Sequence, residues 1–166
     1  CYYNGMTDID VRQIRRRVGV TQVDLAVMVG VTQPAVSAWE AGRRQPTGEP
    51  AEQLERIAIA LDGEYRVVGE FRGRPIELPE GRWIPIVRPD RVIDLPNHID
   101  WTPRQGRRDL RDPDQRAGAY AQVLDEGTAA DIRIWIDPDA LVEMWPDVPV
   151  ARHMRQPVAD LVESLR

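Results

Sequence analysis

The sequence predicts a mainly α protein: an N-terminal bundle of four or five short helices, a short β/linker segment and a small C-terminal helical bundle. Three observations carry this. Apolar residues recur at helical spacing from residue 11 to 61 and again from 117 to 165. Between them, over 64–97, the period shortens to two and prolines stand at 75, 79, 85, 89 and 96. The length of 166 residues suits a domain of about 55–65 residues joined to a second compact unit. The expected divisions are 1–5, a tag or upstream remnant; 6–63, the first helical domain; 64–97, a Pro-rich connector with a β-hairpin; and 98–166, an acidic helical domain.

The first domain is legible element by element. Asp8 and Asp10 lead into Val11, Ile14 and Val18, placing acids at the positive end of a helix dipole, and Gly19 stops the helix. Thr21 caps a second helix with Leu25, Ala26 and Val29 inward, and Gly30 supplies a sharp turn. Thr32 caps a third, with Pro34 in its first turn, Val36 and Trp39 inward, and Gly42 at its end. After Arg43-Arg44-Gln45-Pro46-Thr47-Gly48 a fourth helix starts near Pro50 and carries Leu54, Ile57, Ala58 and Leu61 inward as far as Asp62-Gly63.

In the connector, Tyr65 to Glu70 alternate and Phe71-Arg72-Gly73-Arg74 reads as a hairpin turn, with Trp83-Ile84-Pro85-Ile86-Val87 as an added edge strand. Its functional reading is a dimer edge or hinge; its structural reading is a linker packed on the helices. Beyond it, Asp112-Pro113 opens a helix carrying Ala117, Tyr120, Val123 and Leu124 on one face. Glu126-Gly127-Thr128 ends that helix and caps a segment with Ile132, Trp135 and Ile136. Asp137-Pro138 starts another with Leu141, Val142 and Trp145, and a last one follows Pro157 with Val158, Leu161, Val162 and Leu165. Trp101, Trp135 and Trp145 read as core.

Composition excludes several chemistries. All 22 basic residues are Arg, so no P-loop lysine, Schiff base or Ser-Lys dyad is available. One Cys and two His build neither a closed Cys/His zinc site nor a disulfide framework, which points to the cytosol. No apolar run reaches the roughly 20 residues that cross a bilayer, and Cys1 to Gly5 lack a signal peptide's basic start. His98 with Asp100 and His153 with Asp147 are the only acid-base pairs, neither well spaced, and no hydrolase or metalloprotease motif occurs. The expectation is a protein that is not an enzyme and takes no cofactor.

The net charge of −5 hides a gradient. Residues 1–46 hold six Arg against four acids and 66–108 nine against six, whereas 109–166 hold six against twelve. Phosphates would be met by the N-terminal part, and the C-terminal part needs another partner or none.

Two short helices joined through Gly30, the second with small or polar side chains outward, are what a major-groove reader requires. Thr21-Gln22-x-x-Leu25-Ala26, Gly30-Val31-Thr32 and Val36-Ser37-x-Trp39-Glu40-x-Gly42-x-Arg44-x-Pro46 closely resemble the Cro/C1-type helix-turn-helix family over roughly residues 8–63. The resemblance implies a helix-turn-helix bundle and a double-stranded DNA operator, bound by a homodimer. It implies that Gln22 donates to a phosphate and braces the recognition helix, that Thr32, Gln33 and Ser37 face the groove, and that Arg15 braces Glu40. Gln33 can pair with adenine N6 and N7, Ala35 or Ala38 can touch a thymine methyl, Arg43 and Arg44 hold phosphates, and Arg16 and Arg17 reach the backbone or form a solvated face. Pro34 and Ala38 stand where the family often has longer polar side chains, so readout leans on DNA shape. Self-cleaving repressors of this family use a Ser-Lys dyad, which a chain without Lys lacks.

The acidic run Asp109-Leu110-x-Asp112-x-x-Gln115-Arg116, through Tyr120, Val123-Leu124, Glu126-Gly127-Thr128 and Asp131-Ile132, followed by Leu141-Val142-x-x-Trp145-Pro146, resembles the tail of actinobacterial helix-turn-helix antitoxins paired with nucleotidyltransferase-like abortive-infection toxins. That resemblance implies a toxin protein as partner, with Tyr120, Met144 and Trp145 as apolar anchors and Asp131, Glu143 and Asp147 as rim. The alternative is a stand-alone repressor whose C-terminal region dimerises or senses a small ligand.

Overall fold

The computed structural model describes residues 9–101 and 107–166, so the readings placed on Cys1 to Gly5 and on Asp8 lie outside the described residues. The fold is mainly α, and the chain divides into two compact units, residues 1–59 and 60–166.

In the first unit, α1 (Val11–Val18) begins where Asp10 accepts the Gln13 N–H and stops at left-handed Gly19, burying Val11, Ile14 and Val18. A full capping box starts α2 (Gln22–Val29): Thr21 accepts the Asp24 N–H while Asp24 accepts from the Thr21 backbone. Gly30, at φ 73°, ends α2, and the Val31 N–H reaches back to the Ala26 carbonyl at 2.9 Å. This sharp reversal sets α3 (Gln33–Glu40) directly after α2. Pro34 lies in the first turn of α3 and Val36 is fully buried. Thr32 occupies the N-cap of α3 but its side chain makes no capping bond, which leaves the hydroxyl on the surface. Helix α4 (Glu49–Leu61) buries Leu54 and Ile57, whereas Ala58 and Leu61 are only half-buried.

The second unit begins with a hairpin, β1 (Tyr65–Phe71) and β2 (Arg74–Pro79), paired antiparallel from Tyr65↔Pro79 to Phe71↔Arg74 with a bulge at Val68. Arg72 and Gly73 both take positive φ in its two-residue turn, the geometry that matches strand twist. The alternation read in Tyr65–Glu70 buries nothing: every residue of β1 is exposed. Trp83–Val87 is not a strand. Its Trp83 Nε1 donates to the Ile136 carbonyl at 2.9 Å and the Val87 N–H to the Ile134 carbonyl at 3.1 Å. A two-residue ladder forms elsewhere, β3 (Val92–Ile93) with β4 (Arg108–Asp109).

Helices α5 (Pro113–Glu126), α6 (Ala129–Trp135), α7 (Pro138–Met144) and α8 (Arg155–Leu165) follow, with a single 3-10 turn at Arg152–Met154. Asp112, Thr128 and Asp137 cap the first three through their side chains. Trp135, Ile132, Ile134, Ile136, Val123 and Leu161 form the core together with Leu78, Trp83 and Val87 from the segment before them. Residues 64–97 therefore build one core with the helices after them rather than connecting two bodies. Trp101 is 72% exposed and does not belong to that core. Arg82 ties the unit's ends by donating to the Leu165 carbonyl at 2.7 Å and pairing with Asp139. No helix among the described residues is long and apolar enough to cross a membrane.

Candidate nucleic-acid interface

Glu40, the last residue of α3, organises the surface of the first unit. Its side chain is 3% exposed and accepts from Arg15 Nε at 2.5 Å, from Arg15 Nη2 at 3.1 Å and from Gln22 Nε2 at 3.0 Å. Arg12 adds a bond from Nη2 to the Glu40 carbonyl at 3.1 Å, and Arg15 Nη1 reaches the Val20 carbonyl at 3.2 Å. Two guanidinium groups thus sit at the negative end of α3, where a cation is favoured. The Arg15 hydrogen bonds hold the Glu40 carboxyl below its usual range, and the same bonds raise Arg15.

A carboxylate only accepts, so Gln22 must present its NH2 to Glu40 and turn its carbonyl outward. Gln33 Nε2 donates to that carbonyl at 2.7 Å. The Gln33 amide is then fixed in rotation, with Oε1 and one N–H unspent among the described residues at the exposed start of α3. That pair, one acceptor and one donor, matches adenine N6–H and N7. The order Arg15, Glu40, Gln22, Gln33 is a positioning chain in which buried charge at one end of α3 orients the side chain at the other.

Thr32 is exposed beside Gln33, and Ala35 and Ser37 are half-buried within the next turn of the helix. Arg43 and Arg44 are exposed just past α3, and among the described residues neither makes an ion pair. Arg16 and Arg17 project from the exposed side of α1. Residues 11–58 form a helix-turn-helix. They match the model of a helix-turn-helix family, whose members are DNA-binding, so the match supports a DNA-binding regulator of transcription. No curated protein and no solved structure matches the chain. The helix-turn-helix match ends at residue 58, short of the second unit.

Sequence reasoning paired Arg15 with Glu40 and placed Gln22 as a brace. It missed Arg12, whose signal was its position one turn before Arg15 on the same helix, and it missed the Gln22–Gln33 bond.

The residues expected to meet a protein partner separate in the structure. Tyr120 is 1% exposed and its hydroxyl accepts the Asp137 N–H at 3.2 Å. Tyr120 is therefore a core residue rather than a docking anchor, and burial pushes its phenol up to about 12. Asp131 is 4% exposed, closes the α6 capping box with Thr128, and bonds His98 Nε2 at 3.0 Å. It is an internal brace, not a rim. Met144 is half-buried with its sulfur accepting from Arg116 Nε at 3.0 Å, and Trp145 is half-buried with the Arg155 guanidinium 4.6 Å above its ring. Glu143 and Asp147 are exposed beside them. The suggested acid-base pairs do not form either. His98 turns to Asp131, Asp100 pairs with Arg108 at 3.2 Å, and His153 stacks on Phe71 with ring centroids 3.7 Å apart.

Proposed function

We propose that the chain is a sequence-specific transcriptional repressor that binds a palindromic duplex as a homodimer, with α3 in the major groove. The positioning chain from Arg15 to Gln33 supports this, because it presents a rotationally fixed amide at the exposed start of α3. Gln33 reads a base, with Thr32, Ala35 and Ser37 lining the same face. Gln22 uses its second N–H on a phosphate, and Arg43, Arg44, Arg16 and Arg17 add phosphate contacts. Two half-sites would stand about 34 Å apart on one face of the duplex.

Gln33→Ala should cost about 1–3 kcal/mol and relax preference at one or two base pairs. Arg44→Ala should weaken all sequences alike and lower the salt slope by about one unit. Equal losses on specific and random duplexes for both variants would reduce Gln33 to another backbone contact.

In this reading the acidic second unit meets a basic toxin protein, which makes the chain an autoregulating antitoxin of the cytoplasm. Support comes from exposed Glu143 and Asp147 around half-buried Met144 and Trp145. A basic protein that co-purifies with the full chain at low salt should be lost from Glu143→Arg/Asp147→Arg. Retention by that variant would leave a stand-alone repressor.

A further inference from the structure

The hairpin strand β1 pairs with β2 alone, in a two-stranded sheet. Its other edge is unpaired among the described residues. All seven residues are exposed, and Tyr65, Val67, Val68 and Phe71 place apolar surface there, at 52, 60, 38 and 41% exposure. A free strand edge of this kind is a template for another strand. Native edges are commonly blunted by charges, and a bulge such as that at Val68 serves the same end. The charges on β1 are arranged differently from a blunted edge.

We propose that β1 is the homodimer edge: two copies pair antiparallel about a two-fold axis at Val68, joining the two hairpins into a four-stranded sheet. This rests on the homodimeric repressor reading above. The sequence Tyr65-Arg66-Val67-Val68-Gly69-Glu70-Phe71 is self-complementary in that register. Arg66 falls opposite Glu70 of the second copy, and Glu70 opposite its Arg66, so both charge pairs are unlike. Tyr65 and Phe71 fall opposite each other at both ends, where the Phe71 ring, stacked on His153 on one face, is still 41% exposed to meet Tyr65, and Val67 meets Gly69. The bulge leaves Val68 without a partner on β2 and places the axis at the residue the hairpin itself does not use. Within the hairpin Arg66 faces Leu78 and Glu70 faces Pro75, so neither charge has a charged partner directly across the ladder inside one chain.

The test uses the full chain without DNA, by sedimentation at concentrations up to about 200 µM, a range suited to a small interface. Wild type should dimerise. Arg66→Glu and Glu70→Arg should each weaken the dimer about tenfold or more, since two unlike pairs become two like pairs. The double variant Arg66→Glu/Glu70→Arg should recover it, and an equimolar mixture of the two single variants should form a heterodimer. Circular dichroism establishes that each variant is folded. A wild type that stays monomeric, a dimer indifferent to either single charge reversal, or a folded double variant that stays monomeric would overturn the proposal. Because no duplex is present, a chain that dimerises through β1 and binds no DNA overturns the repressor reading alone. One that binds a palindrome but ignores these charges overturns the β1 edge alone.

Discussion

Replacing Glu40 with alanine removes the carboxylate that Arg15 and Gln22 share. Its oxygens accept two bonds from Arg15 and one from Gln22, and the side chain is 3% exposed. A hydrogen bond to a charged group contributes about 1.5–3 kcal/mol net, and removing one partner of a fully buried ion pair costs about 3–5 kcal/mol. The Arg15 side chain is 20% exposed, so water recovers part of its solvation and the expected loss is about 2–3 kcal/mol. In a unit of this size that corresponds to roughly 4–8 °C of melting temperature per kcal/mol. Glu40→Gln keeps the shape and one acceptor and should lose about half as much. Hydrogen exchange of the α1 and α3 amides in the full chain reads the first unit directly, whereas tryptophan emission would be dominated by Trp83, Trp101, Trp135 and Trp145 of the second. The Arg15 bonds hold the Glu40 carboxyl below its ordinary value of 4.5. Its contribution is therefore complete above the unfolded value and is lost as pH falls through the depressed one. The gap between wild type and Glu40→Gln should stay flat from about pH 8 to 5 and shrink only below about 4.5. Wild-type protection in Glu40→Ala, or a gap already closing between about pH 7 and 5, would refute the positioning chain.

Two further perturbations follow from the same geometry. Thr21→Ala should destabilise the first unit by about 1 kcal/mol because it opens a capping box, whereas Thr32→Ala should leave thermal stability unchanged and alter only duplex affinity, since that hydroxyl caps nothing; equal melting shifts would contradict this. The Asp131 hydrogen bond raises the His98 pKa, so its stabilisation is complete below the ordinary value near 6.5 and is lost as pH rises through the raised one. His98→Ala should therefore be destabilised relative to wild type at about pH 5.5 by under ~1 kcal/mol, because the imidazole is 44% exposed, and match it at about pH 9; an offset independent of pH would sink the ion pair.

What could be read in the sequence was local. Asp10, Thr21, Asp112, Thr128 and Asp137 each bond to a backbone N–H two or three residues ahead, and Gly19 and Gly30 take the left-handed conformation their positions require. What could not be read was set by partners distant in the chain. Trp83–Val87 has a strand's composition, but its bonds go to carbonyls at the end of α6, about fifty residues on, and no local pattern announces that. Tyr120 has the residue type of a docking anchor, but it is buried, with its hydroxyl accepting the Asp137 N–H from a residue 17 positions on. Trp101 differs in the opposite sense, as a large aromatic expected in the core that the fold leaves exposed. In the candidate site the resemblance suggests the Arg15–Glu40 pair and the bracing role of Gln22, and the structure adds Arg12 and the Gln33–Gln22 bond.

The two units close over different spans of chain. The bonds from α1 to Glu40 join residues 25 and 28 apart, whereas Trp83 waits for Ile136, 53 residues later, and Arg82 for Leu165, 83 residues later. Synthesis adds about 5–20 residues per second, and domains fold as they emerge. The helix-turn-helix can finish within seconds of leaving the ribosome, while the hairpin that follows it in the chain stands open with Leu78 uncovered until α6 arrives. A chain halted between residues 80 and 130 would carry a finished helix-turn-helix followed by an unfinished, sticky strand. Such a fragment would be prone to aggregate, so the steadiness of translation across the second unit sets how long that open strand stays uncovered.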